Sequence, residues 1–262
     1  MFSNQIQPEV VSLFSSTGSN PLSLFGSSCD STLPADSLIH LLNDKSSLPA
    51  PAAPAVVILP PSLEENSDDT ESSTSGLNLG QTVLHIQSPT LRTTYIRCPP
   101  NHQANLGLKH PWIHIQVRDM GREWSLELGL FDRDGHVGIV RLSTFQKQPR
   151  LKLSTRRSSP PLLHLPLSFP SISSRPLTAW ATVTLHLPTL LPRFSSPSLL
   201  PRGPEGAPIP VPLAASMPSG AFSHTSYVKV YATCRLRRIW FSQSGPSKQA
   251  PWEFELYGDE YR

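Results

Sequence analysis

The stretch from Tyr227 to Phe241, Tyr-Val-Lys-Val-Tyr-Ala-Thr-Cys-Arg-Leu-Arg-Arg-Ile-Trp-Phe, alternates with a period of two. Val228, Val230, Ala232, Cys234 and Leu236 are apolar, while Lys229, Thr233, Arg235 and Arg237 are polar. That period belongs to a half-buried strand with one face on a core and the other in solvent. The expectation is therefore that Lys229, Arg235 and Arg237 project into water. Arg238 falls where an apolar residue is due, and Ile239 and Phe241 resume the apolar series one residue out of phase. A β-bulge or tight turn at Arg237 and Arg238 would do this, since one extra residue re-aims every later side chain. After a loop from Ser242, Trp252, Phe254 and Leu256 alternating with Glu253, Glu255 and Tyr257 predict a last strand.

The same period recurs upstream in Trp112 to Arg118, Trp124 to Leu130 and Ala181 to Leu187, beside further apolar segments. Strands are predicted over Val83 to Gln87, Leu91 to Cys98, Trp112 to Arg118, Trp124 to Leu130, Val137 to Leu142 and Ala181 to Leu187. The turn Asp132-Arg133-Asp134-Gly135 joins two of them as a hairpin. Val10 to Phe14 and Leu22 to Phe25, separated by the turn formers Gly18, Asn20 and Pro21, read as a hairpin-like opening. Short strands at regular spacing with turn residues between them define an all-β antiparallel fold, a sandwich or a barrel.

The chain is 262 residues long and holds 29 prolines, roughly twice the usual share, so part of it must be loop. Residues 1–25 and 78–262 are assigned to one domain, with 26–77 as a disordered insertion and 154–176 and 193–226 as low-complexity loop insertions. The first insertion holds a short helical possibility at Ala35 to Asn43 and an acidic, serine-rich tract from Glu64 to Ser75.

Met1 to Gln7 lacks a basic start followed by an apolar run, so no secretory leader is expected. The longest apolar stretch, Pro49 to Pro61, is short and proline-rich, which excludes a membrane span there. Cys29, Cys98 and Cys234 are scattered without CxxC spacing, consistent with a reducing intracellular compartment. Cys98, His102, His110 and His114 are residue types that zinc takes, but Pro111 and the strand beyond it separate the last pair, so no metal is expected. The Asp132 turn carries His136, Val137 and Ser143 where a calcium loop needs its further ligands and glycine, so it reads as a turn. No nucleophile elbow, phosphate loop or zinc-protease helix occurs, and no enzyme, cofactor or small-molecule substrate is expected.

Lys and Arg number 22 against 19 Asp and Glu, a net charge of +3 that permits a polyanionic partner. The candidate partner-binding residues are Lys229, Arg235, Arg237, Arg238 and Arg141, followed along the chain by Lys147, Arg150 and Lys152. Tyr227 and Tyr231 are the aromatic residues on that face, thin support for nucleic acid, which remains the lesser partner class.

Several strings resemble the domain family of cilia- and flagella-associated protein 20. They are Met1-Phe2, Gly18-Ser19-Asn20-Pro21-Leu22, Thr93-Thr94-Tyr95-Ile96-Arg97-Cys98-Pro99, Leu106-Gly107-Leu108-Lys109, Ala232 to Phe241, and Glu253-Phe254-Glu255-Leu256-Tyr257. The resemblance implies a jelly-roll sandwich shaped like a carbohydrate-binding module and a non-enzymatic structural role. It implies tubulin, microtubules and other axonemal junction proteins as partners, at the inner junction of doublet microtubules in the cilium axoneme or basal body. An adaptor in nucleus or cytoplasm that keeps the fold is the alternative. The long tract 26–77, Leu-Thr-Ala-Trp-Ala around Trp180, and the insertion from Ser195 to Ser226 depart from the family pattern.

Overall fold

The computed structural model describes residues 1–2, 6–49, 81–153, 159–170, 179–199, 217–218, 220–246 and 254. Thirteen strands occur among them: β1 (Val10–Ser15), β2 (Gly26–Ser28), β3 (Leu38–Asn43), β4 (Thr82–Gln87), β5 (Tyr95–Cys98), β6 (Trp112–Asp119), β7 (Ser125–Asp132), β8 (Val137–Ser143), β9 (Arg150–Lys152), β10 (Leu162–Pro166), β11 (Trp180–His186), β12 (Phe222–Tyr231) and β13 (Cys234–Ser242). They form two sheets. One has the order β11-β6-β13-β4-β3, with β1 also paired to β13; the other runs β2-β5-β12-β7-β8-β10-β9. The architecture is the expected sandwich, with one parallel pair, β8 and β10, among otherwise antiparallel neighbours in the described residues.

The core lies between the sheets and follows from the alternation. Ile113, Ile115, Val117, Leu236, Ile239 and Phe241 enter it from one sheet; Leu126, Leu128, Leu130, Val140, Val228 and Val230 enter from the other. All twelve side chains are fully buried. A 3-10 helix, Leu187–Ser195, adds Leu187, Leu191 and Phe194 to the same core.

The Tyr227 to Phe241 run is not one strand. β12 ends at Tyr231 in the seven-stranded sheet and β13 begins at Cys234 in the other, so the chain changes sheets at Ala232 and Thr233. Alternation survives such a corner because both strands continue to aim one side at the shared core. The predicted bulge is present: the β13–β6 register shifts between Leu236 and Arg238.

The opening segments do not pair as a hairpin; β1 joins β13, and Leu22 to Phe25 form a turn leading to β2 in the opposite sheet. The predicted disordered tract 26–77 is ordered over 26–49, and its helical possibility is β3, paired residue by residue with β4 from Leu38↔Gln87 to Asn43↔Thr82. Nonlocal contacts hold it. The Asp30 carboxylate accepts hydroxyl bonds from Thr32 (2.6 Å), Thr90 (2.7 Å) and Thr93 (2.8 Å), and these push its pKa well below the ordinary carboxylate range. Likewise β10 falls inside the predicted loop 154–176, and the 3-10 helix and β12 occupy parts of 193–226. Residues 50–77, the remainder of those insertions, and the final strand except Phe254 lie outside the described residues.

The greatest departure concerns the outer face of the six-stranded sheet. Arg235 and Arg237 are buried, each about 6–7% exposed. Arg235 Nη1 donates to the Asp44 carboxylate (2.6 Å) and its backbone carbonyl (2.7 Å), while Arg118 reaches the same carboxylate at 3.0 Å and Trp180 Nε1 at 2.9 Å. Arg237 donates to Gln81 (3.1 Å) and Gln116 (2.9 Å). Periodicity assigned these arginines to solvent because it cannot see that the turn after β3 folds over Arg235 and that Gln81 and Gln116 meet Arg237. Removing Asp44 would strand Arg235 without its countercharge, so Asp44→Ala is expected to lower unfolding free energy by about 3–5 kcal/mol in urea titrations.

His114 is also buried there, between Thr184 Oγ1 (3.0 Å) and Ser242 Oγ (2.8 Å), with its ring stacked on Trp240. Burial pushes its pKa down to about 4. A histidine depressed below its unfolded value stabilises the fold above about pH 6.5, and that contribution is lost as pH falls toward 4. The melting temperature should drop across this window, less steeply in His114→Gln.

Candidate functional site

The outer face of the seven-stranded sheet carries the second polar assembly. Strand register places Arg97 opposite Lys229, Lys229 opposite Glu127, Glu127 opposite Arg141, Arg141 opposite His164 and His164 opposite Arg150. Residues directly opposed across a sheet share a face, so these six form one row crossing six strands. The neighbouring row holds Tyr95, Tyr231, Ser125 and Ser143.

Glu127 is the centre of this face. It is buried, and its carboxylate accepts bonds from Arg141 Nε (2.8 Å) and Nη2, Tyr227 OH (2.8 Å) and Tyr231 OH (3.2 Å). Gly129 makes room for this arrangement. A Cβ there would come within 2.5 Å of the Tyr227 ring, so the glycine lets the ring lie across β7 with its hydroxyl over Glu127. Burial first, and then the Glu127 charge, push the Tyr227 and Tyr231 hydroxyls well above the ordinary tyrosine range.

Cations cover the rings. Lys229 Nζ sits 3.6 Å from the Tyr95 ring centroid and 4.5 Å from Tyr231, Arg97 lies 4.7 Å over Tyr227, and Arg141 lies 5.6 Å over Tyr231. Burial lowers the Lys229 pKa, and Glu127 opposes that shift. Burial works against the charged form of Arg141 too, but the adjacent carboxylate outweighs it and the pKa is raised. At the β10 end, burial and then Arg141 and Lys152 lower the His164 pKa, and its Nε2 shares a 2.8 Å bond with Ser143 Oγ. Arg92, Arg150 and Lys152 are exposed around this assembly.

Of the five predicted partner-binding residues, Lys229 and Arg141 meet here. Arg235 and Arg237 are buried on the opposite sheet, and Arg238, half-buried on that sheet, stands 5.3 Å over the Phe254 ring. Sequence periodicity did not single out Glu127, Tyr95 and Arg97. Each occupies the non-core phase of its strand, a signal that marks a face and leaves its partners undefined.

The remaining sequence candidates have structural places. Cys98 and Cys234 are buried, and desolvation pushes the Cys98 thiol up to about 12 and the Cys234 thiol up as well, so both stay protonated at neutral pH. His110 bonds the Pro8 carbonyl at 2.7 Å, and His102 is exposed. Asp132, Asp134 and His136 bring ligand atoms within 4.8 Å of one another. The Asp132 carboxylate there accepts the backbone N–H of Asp134 (3.0 Å), His136 (2.8 Å) and Gly220 (3.3 Å), the geometry of a side-chain-capped turn.

The fold and this face define a two-sheet β-sandwich module with a buried carboxylate, tyrosines and a rim of cations on one outer surface. Residues 72–186 match the CFA20 domain, in agreement with the resemblance carried by the sequence strings. Cilia- and flagella-associated protein 20 of Chlamydomonas reinhardtii is 24% identical over 181 residues, 69% of this chain and 76% of that protein. The proteins of the same name from Caenorhabditis briggsae and Caenorhabditis elegans are each 22% identical over 179 residues, 67% of this chain and 68% of theirs.

Glu127→Gln should cost about 3 kcal/mol, the low end for a broken buried pair because Arg141 is a third exposed. In alkaline absorbance titration of the five tyrosines, two should resist ionisation in the native protein, and the substitution should bring them closer to the ordinary range near about 10. Five tyrosines titrating together in the native protein would contradict the Glu127 assembly.

Proposed function

We propose that this protein is a non-enzymatic structural component of cilia or flagella that docks through the outer face of the seven-stranded sheet onto the acidic surface of tubulin. The observation that carries the reading is the row Lys229, Arg141 and Arg150, with exposed Arg92 and Lys152 beside it, against the single carboxylate of Glu127. Such a surface attracts a negatively charged polymer and orients it. The names of the relatives support a ciliary setting, and the family resemblance supports the inner junction of doublet microtubules, at the axoneme or basal body. Unpaired bases are a poorer fit, because stacking needs open aromatic faces and cations already lie over Tyr95, Tyr227 and Tyr231.

Arg235 and Arg237 serve stability in this reading, so reversing their charge would test folding instead of docking. The informative variant combines Arg150→Glu with Lys229→Gln. It is expected to weaken microtubule co-pelleting by roughly tenfold, with wild-type binding falling as salt rises. Arg133→Glu, an exposed change in the turn after β7, should pellet like the wild type. Equal pelleting by all three proteins would remove this face from the contact.

A further inference from the structure

We infer that a hollow of about 390 Å3 on this face is a seat for glutamate side chains of an extended acidic peptide. The inference rests on the acidic-partner reading above and specifies the chemistry that the face recognises. Arg92, Arg141, Lys152, His164, Phe145 and Tyr231 line the hollow, and no carboxylate does. Glu127 lies beneath, already engaged by Arg141 and two tyrosine hydroxyls. Among the described residues neither Arg92 nor Lys152 has an ion-pair partner, which leaves two exposed cations facing a cavity without a countercharge. The lowered His164 pKa, due to burial and then to Arg141 and Lys152, agrees with that positive surrounding.

The wall selects among anions. Phe145 is 41% exposed, one of four large hydrophobic residues so placed among those described, and its ring stands edge-on to His164 at 5.7 Å. A glutamate side chain offers two methylenes to such a wall and a carboxylate to the cations beyond it. Inorganic phosphate could use the cations alone. From Tyr231 on β12 to Lys152 on β9 the hollow crosses four strand spacings, about 19 Å at about 4.8 Å each, room for several extended residues.

Calorimetric titration of the full chain with end-blocked hexaglutamate tests this, with hexaaspartate and inorganic phosphate as comparisons. Expected is saturable binding of one peptide per chain, weaker for hexaaspartate. Lys152→Ala should reduce affinity by roughly tenfold, the scale of a charged hydrogen bond, and Phe145→Ala should reduce it without removing charge. Both residues are exposed, so circular dichroism should confirm an unchanged fold. Hexaglutamate affinity unaffected by either substitution, or phosphate binding as tightly as the peptide, would overturn the proposal. If hexaglutamate fails to bind while Arg150→Glu with Lys229→Gln still weakens pelleting, the glutamate seat falls and the docking face stands. If the peptide binds as expected and microtubules do not pellet, the seat stands and tubulin is excluded as the partner.

Discussion

Burying a guanidinium costs several kcal/mol unless a countercharge and hydrogen-bond acceptors are buried with it, and this sandwich does so on both outer faces. Asp44 meets the cost on one sheet, taking Arg235, Arg118 and the Trp180 indole around a single carboxylate. Glu127 does the same on the other, taking Arg141 and two tyrosine hydroxyls. The remaining architecture serves these two charges. β3 must pair with β4 to deliver Asp44, and Gly129 must lack a side chain for Tyr227 to reach Glu127.

The two faces diverge in what covers them. Around Asp44 the arginines are enclosed by Ser47, Gln81 and the turn after β3, and Leu42, Val83 and Trp180 form a small second hydrophobic cluster beside them. The cations there are structural. Around Glu127 the charge is balanced at the centre and in excess at the rim, where Arg92, Arg150 and Lys152 stay in solvent. A surface with a satisfied centre and an exposed cationic edge suits the docking proposed above, since the centre fixes geometry and the edge supplies attraction. The CFA20 domain match spans 72–186, so it includes β7 and β8, which carry Glu127 and Arg141, but ends before β12, which supplies Lys229, Tyr227 and Tyr231.

Much of this was legible from residue order. Apolar patterning located β4, β6, β7, β8 and β11 to within a residue or two, and period-two alternation separated the core-facing positions on β6, β7 and β11. The phase slip at Arg238 announced a bulge or tight turn, and the register shift between Leu236 and Arg238 makes it the bulge. β3 escaped notice because Leu38-Ile39-His40-Leu41-Leu42-Asn43 has no alternation and suits a helix locally; only its register with β4 makes it a strand. The join between β12 and β13 escaped for a related reason, since both halves keep facing one core while the chain passes between sheets.

Sequence alone therefore determined the fold class, most of the core and the family resemblance, all of which depend on local periodicity and short ordered strings. Tertiary structure decided which polar face is surface. Arg235 and Lys229 sit six residues apart in the same alternation, yet one is buried against a carboxylate nearly two hundred positions away in the chain and the other lies half-exposed over two tyrosines. The period of a strand fixes the side on which a residue points. What else the chain brings to that side is set by long-range pairing, and that is where this protein separates its enclosed arginines from those left at a surface.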